Sequence, residues 1–116
     1  MSWDARLTDD RGHVDGDWNY THNCNPMCDA VLGKQVAATA TPFWGGHSWW
    51  ALLDGLDGKS GRALLASMVE SLEADPERFE AMNPKNGWGS YVELVGVLRE
   101  MRDAVPDWPT TWTCSG

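Results

Sequence analysis

The stretch Asn83-Pro84-Lys85-Asn86-Gly87-Trp88-Gly89-Ser90-Tyr91 lies between two helical patterns and dictates where the chain must turn. Asparagine, glycine and proline concentrate there because each suits a backbone geometry that a helix or strand interior disfavours. The segment reads as a shaped loop. Asn83-Pro84 ends one short helix and Asn86-Gly87 supplies left-handed backbone. Ser90-x-x-Glu93 is a capping box that opens the next helix. That helix carries Tyr91, Leu94, Val95, Leu98, Met101 and Val105 at helical spacing, and Pro106 stops it. Trp88 is required by no cap or turn. It is therefore the first place to look for recognition.

The remaining punctuation divides the chain into short elements. Residues 1–16 are polar and turn-rich and are expected to form a flexible N-terminal segment; residues 17–116 are expected to form a single globular domain. Asp17-Trp18-Asn19-Tyr20-Thr21 alternates as a strand does. Asn25-Pro26 starts a helix, with Asn25 as cap, and Gly33 ends it. Residues 34–47 read equally as a strand or as a helical extension. Ser48 is the expected cap for a short helix bearing Trp49, Trp50, Leu52, Leu53 and Leu56. Asp57-Gly58-Lys59 reads as a turn. Ser60 then caps a longer helix with Leu64, Leu65, Met68, Val69 and Leu72 on one face. Asp75-Pro76 opens another short helix that ends near Met82. Trp108 to Cys114 reads as a C-terminal strand, expected to pair with residues 17–21. The fold expected is α+β: a mainly helical single domain of four to five short helices, with a small antiparallel sheet from N- and C-terminal strands.

Composition narrows the function classes. The net charge of −8 comes from 17 acids against 9 Lys and Arg. Such a field repels phosphate backbones, so nucleic acid is not an expected partner. The longest apolar run, Trp49 to Leu53, is far too short to span a bilayer, so no membrane partner is expected. No apolar leader segment follows Met1, which sets the cytoplasm as the expected compartment. Eight of the 116 residues are Trp. A small domain cannot easily bury so many indoles, and one to three are expected at a partner or ligand surface. The acids Glu70, Glu73, Asp75, Glu77 and Glu80 read as a solvated face.

Catalytic chemistry finds little footing, and no cofactor is expected. No Gly-x-Ser-x-Gly elbow occurs, and Ser48 beside His47 is only a neighbour pair in sequence. Gly58-Lys59-Ser60 echoes the end of a phosphate-binding loop, but Gly55 is two positions too close for that motif. His22, Cys24 and Cys28 are metal-ligand types, with His13 and Cys114 as further donors. The set falls short of the two close ligand pairs that a structural zinc site wants. A zinc-stabilised module remains the least favoured reading.

The pieces Asn19-Tyr20-Thr21-x-Asn23-x-x-x-Met27, Ala74-Asp75-Pro76-Glu77-Arg78-Phe79 and Met82-Asn83-Pro84-Lys85-Asn86-Gly87-Trp88-Gly89-Ser90-Tyr91 give the chain a resemblance. In that order they resemble a family of small proteins from actinobacteria and their bacteriophages, over residues 17 to 114. The resemblance implies context and no particular chemistry: a cytoplasmic, phage-encoded accessory protein. Cys24 and Cys28 depart from the family pattern, which has an apolar residue and a tryptophan there.

Tyr20 and Asn23 lie at a strand-to-helix junction, and Asn86, Trp88 and Tyr91 at a loop-to-helix junction. If the junctions meet, these five residues form a candidate binding spot. The competing reading has the amides stapling loop backbone and Trp88 plugging the core. The favoured function is a non-enzymatic binding protein, a phage-encoded modulator of a host protein. The alternative is a protein that sequesters a small molecule or nucleotide.

Overall fold

The structure is a computed structural model, and it describes residues 2–33 and 49–116. Three strands and five helices are described, in an α+β arrangement: β1 (Ser2–Asp9), β2 (Val14–Thr21), α1 (Asn25–Leu32), α2 (Trp50–Leu53), α3 (Gly58–Glu73), α4 (Pro76–Glu80), α5 (Tyr91–Asp103) and β3 (Thr110–Ser115). A single 3₁₀ turn, His22–Cys24, joins β2 to α1.

The sheet corrects two expectations. The segment expected to be flexible supplies β1, and β1 is the central strand of the order β2-β1-β3. Residues 17–21 and the C-terminal strand both pair with β1, antiparallel, and do not pair with each other. The physical reason lies in Trp3, Ala5 and Leu7. These alternate with Asp4 and Arg6, and all three are fully buried. That is the period-2 pattern of a half-buried strand. Asp9 closes the hairpin by accepting the backbone N–H groups of Arg11 and His13 at 2.9 and 2.8 Å.

One sheet face is wet and one is dry. On the outer face Arg6 pairs with Asp17 at 3.2 Å. On the inner face Trp3, Leu7 and Trp112 join Leu65, Leu72, Leu94 and Leu98 in one core. Trp3 meets Trp49 edge-on, with ring centroids 5.0 Å apart. The outer edge of β3 is closed by the chain entering α3. Gly55 N–H donates to the Trp112 carbonyl at 2.8 Å, and Trp112 N–H donates to the Leu56 carbonyl at 2.9 Å. Covering that edge removes a row of unpaired donors and acceptors.

Helix α3 lies very close to β3, and its glycines explain how. A Cβ on Gly61 would stand 2.2 Å from Trp112 Nε1, and one on Gly58 would stand 1.9 Å from Thr110 Oγ1. The indole N–H of Trp112 donates to the Gly58 carbonyl at 3.3 Å. Gly58, which echoes a phosphate loop in sequence, thus serves helix-to-strand contact, as does Gly61. The cap of α3 is also corrected: Asp57, not Ser60, holds that position, and its carboxylate accepts Ser60 N–H at 3.1 Å. Asn25 is the first residue of α1 and not its cap; Cys24 takes the cap position without a side-chain bond. Asn25 Oδ1 instead accepts the Trp49 indole N–H at 3.0 Å. The expectations for residues 34–47 and for Ser48 as a cap lie outside the described residues.

Candidate functional site

The two junctions singled out by the sequence do meet. The Tyr20 hydroxyl accepts Ser90 N–H at 3.0 Å, and Asn23 Nδ2 donates to the Trp88 carbonyl at 3.3 Å. Gly89 makes the approach possible. It has φ +94°, and a Cβ there would stand 2.6 Å from Thr21 Cγ2, 3.0 Å from Cys24 Sγ and 3.2 Å from the Tyr20 oxygen. A side chain at this position would force the junctions apart.

Within the loop, asparagines hold backbone. Asn86 Oδ1 accepts Trp88 N–H at 2.9 Å in a local turn. Asn83 Oδ1 accepts Tyr91 N–H at 2.8 Å, at the first residue of α5. Ser90 Oγ accepts Glu93 N–H at 3.2 Å, which is one arm of the expected capping box. The other arm is replaced, because Ser90 N–H goes to Tyr20 and not to the Glu93 carboxylate. Asn83 and Tyr20 thus complete a cap that sequence spacing assigned to Ser90 and Glu93.

The five candidate residues separate into three roles. Tyr20, Asn23 and Asn86 are staples, each with one polar atom bonded to the loop backbone. Burial pushes the Tyr20 phenol up to about 12. Tyr91 belongs to the core: it is 7% exposed, it stacks on Phe79 with centroids 6.3 Å apart, and its hydroxyl donates to the Leu72 carbonyl at 2.9 Å. Trp88 faces solvent, at 72% exposure, so it does not plug the core. Val92, one helical turn further on, is 69% exposed. Trp88 is the more informative of the two because its backbone is held on both sides. Asn86 fixes its N–H and Asn23 its carbonyl, so a large apolar side chain is presented on a restrained loop.

The small-molecule alternative places its site at Asn23, Asn86 and Trp88. Each of these two amides gives one polar atom to loop backbone, and two cavities described in the structure lie elsewhere. One of about 360 Å³ lies on the outer sheet face between Asp4, Arg6 and Asp17. The other, of about 220 Å³, lies beside the start of α3 and is lined by Asp57 and Trp108.

The metal-ligand types are dispersed. Cys24 and Cys28 are buried along one side of the start of α1, and Cys114 is buried in β3. His13 is exposed in the β1–β2 turn, and His22 lies in the 3₁₀ turn. Among the described residues no three His, Cys, Asp or Glu side chains are grouped to hold a metal. Burial pushes the Cys24 and Cys28 thiols up, which favours the protonated form over the thiolate that ligates and attacks. The run Glu70 to Glu80 is exposed, as expected, and Glu73 pairs with Arg99.

Trp108 is the residue that the sequence reading placed in a strand and passed over. It precedes β3, is 54% exposed, and donates its indole N–H to Asp15 Oδ2 at 3.1 Å. Flanking prolines at 106 and 109 were the available signal, since they keep this indole out of a strand ladder. Comparison with family models, with curated proteins and with solved structures returns no match to this chain.

Proposed function

We propose that the protein is a non-enzymatic binding protein that engages a partner protein through Trp88. The observation that carries this reading is an indole 72% exposed on a loop whose backbone is clamped on both sides. Restraint before binding lowers the ordering cost of association, and Trp is enriched among residues that dominate interface energy. Val92 extends the apolar surface, and the net charge of −8 favours a basic partner. The resemblance to small proteins of actinobacteria and their bacteriophages supplies the context: a phage-encoded modulator acting on a host protein in the cytoplasm.

Matched pull-downs from an actinobacterial lysate, with the wild-type chain and with Trp88→Ala, test this. The expected result is a protein recovered by the wild type and lost with the variant, while both unfold at the same denaturant concentration. Recovery of the same proteins by both chains overturns the role of Trp88.

A further inference from the structure

We propose that the cavity beside the N-terminus of α3 is a second recognition site, which takes the guanidinium of an arginine presented by a basic polypeptide. It does not depend on the Trp88 reading. The cavity has a volume of about 220 Å³, and the apolar residues Trp108 and Pro109 line it together with the acidic residues Asp57 and Asp107. Trp108 keeps an open surface, yet its bond to Asp15 Oδ2 ties the ring to the start of β2. A planar cation stacks well on an indole held in this way, and arginine loses less hydration than lysine when it does so. Thr110 also lines the cavity. It is 5% exposed, and its hydroxyl oxygen has no hydrogen-bond partner among the described residues.

An anion fits the same place poorly, although a helix begins there. The Asp57 carboxylate already occupies the positive pole of α3 by accepting Ser60 N–H. Hydrogen bonding from Ser60 holds Asp57 below the usual carboxylate range, so it stays charged at neutral pH. Asp107 adds a second negative charge. Lys59 is the cation at this margin, and its exposed, flexible stem lets the ammonium stay in solvent. The overall charge of −8 draws a basic segment towards the protein, and the indole then distinguishes a stacked cation from a merely attracted one.

The test titrates a fluorescently labelled tetra-arginine peptide into the full chain and follows anisotropy. A tetra-citrulline peptide serves as the neutral isostere. The expected result is saturable binding to the wild type, about tenfold weaker for citrulline and for Trp108→Ala, and several-fold weaker for Asp107→Asn. Trp88→Ala is expected to bind the arginine peptide as the wild type does. Equal binding by Trp108→Ala reduces the effect to the general acidic field and overturns the site. So does equal binding of citrulline, or displacement of the peptide by millimolar inorganic phosphate. Loss of binding in Trp88→Ala moves the cation to the other indole and overturns it as well.

Discussion

The Tyr20 hydroxyl accepts the backbone N–H of Ser90 at 3.0 Å across 70 positions of sequence. It joins the end of β2 to the first turn of α5, and it satisfies a helix N-terminal amide that local residues leave open. Tyr20→Phe keeps the ring and removes this acceptor. We expect a loss of about 1 kcal/mol, the net worth of one hydrogen bond. Urea denaturation checks it; an unchanged midpoint with a normal slope means the bond contributes nothing.

Gly89→Ala tests the approach of the two junctions. The residue needs φ +94°, and a Cβ would press on Thr21, Cys24 and Tyr20 at once. Left-handed strain alone costs a non-glycine residue about 1–3 kcal/mol. Gly87→Ala separates strain from clash, since Gly87 has φ +76° and no described residue lies within 4 Å of where its Cβ would stand. The loss at position 89 should exceed that at 87, and equal losses mean that contact with β2 is unimportant.

Two helix glycines should respond with opposite sign. Gly96 lies inside α5 with nothing among the described residues within 4 Å of an added Cβ, so Gly96→Ala should stabilise by about 0.5–1 kcal/mol through helix propensity. Gly61→Ala gains the same propensity but drives a methyl group onto the buried Trp112 indole. Overpacking costs about 1–3 kcal/mol and prevails. Thermal midpoints of the pair decide, and a stabilised Gly61→Ala chain refutes the close packing of α3 on β3.

Stability should decline in base. Burial, and secondarily the nearby Asp54 charge, raise the Cys114 thiol from 9.0 to about 12. Burial raises the Tyr20 phenol from 10.0 to about 12. A group whose folded pKa exceeds its unfolded value keeps its proton longer in the native state. Its contribution is complete below the unfolded value and is lost as pH climbs towards the folded one. The fall therefore starts near 9 for Cys114 and near 10 for Tyr20, and both windows close near 12. Urea midpoints measured at rising pH should drop through this range, and less so in Tyr20→Phe. A level midpoint up to about pH 11 contradicts the assignment.

Local chemistry made several parts of the fold legible. Helices α1, α3, α4 and α5 announce themselves by periodicity, by Pro26 and Pro76, and by Ser90. The loop at 83–91 is legible because asparagine and glycine there have few other uses. Strand β1 was missed because Thr8, Asp9, Asp10, Arg11 and Gly12 give the first residues a polar average. That average conceals the alternation of Trp3, Ala5 and Leu7. The cap at Asp57 was missed because Asp-Gly reads as a turn until Gly58 is seen to make room for Thr110.

The amino-acid sequence by itself determined the loop, most of the helices, the excess of acid and the surplus of indole. These follow from backbone preference and composition, which need no knowledge of distant residues. Only the tertiary structure decided which indoles are spent on the core and which remain outside. Trp3, Trp49 and Trp112 are fully buried, whereas Trp88 and Trp108 are 72% and 54% exposed. The same side chain serves either purpose, and its fate rests on what the chain brings alongside it. For Trp88 that is a pair of asparagines holding its backbone, while the residue stays 72% exposed.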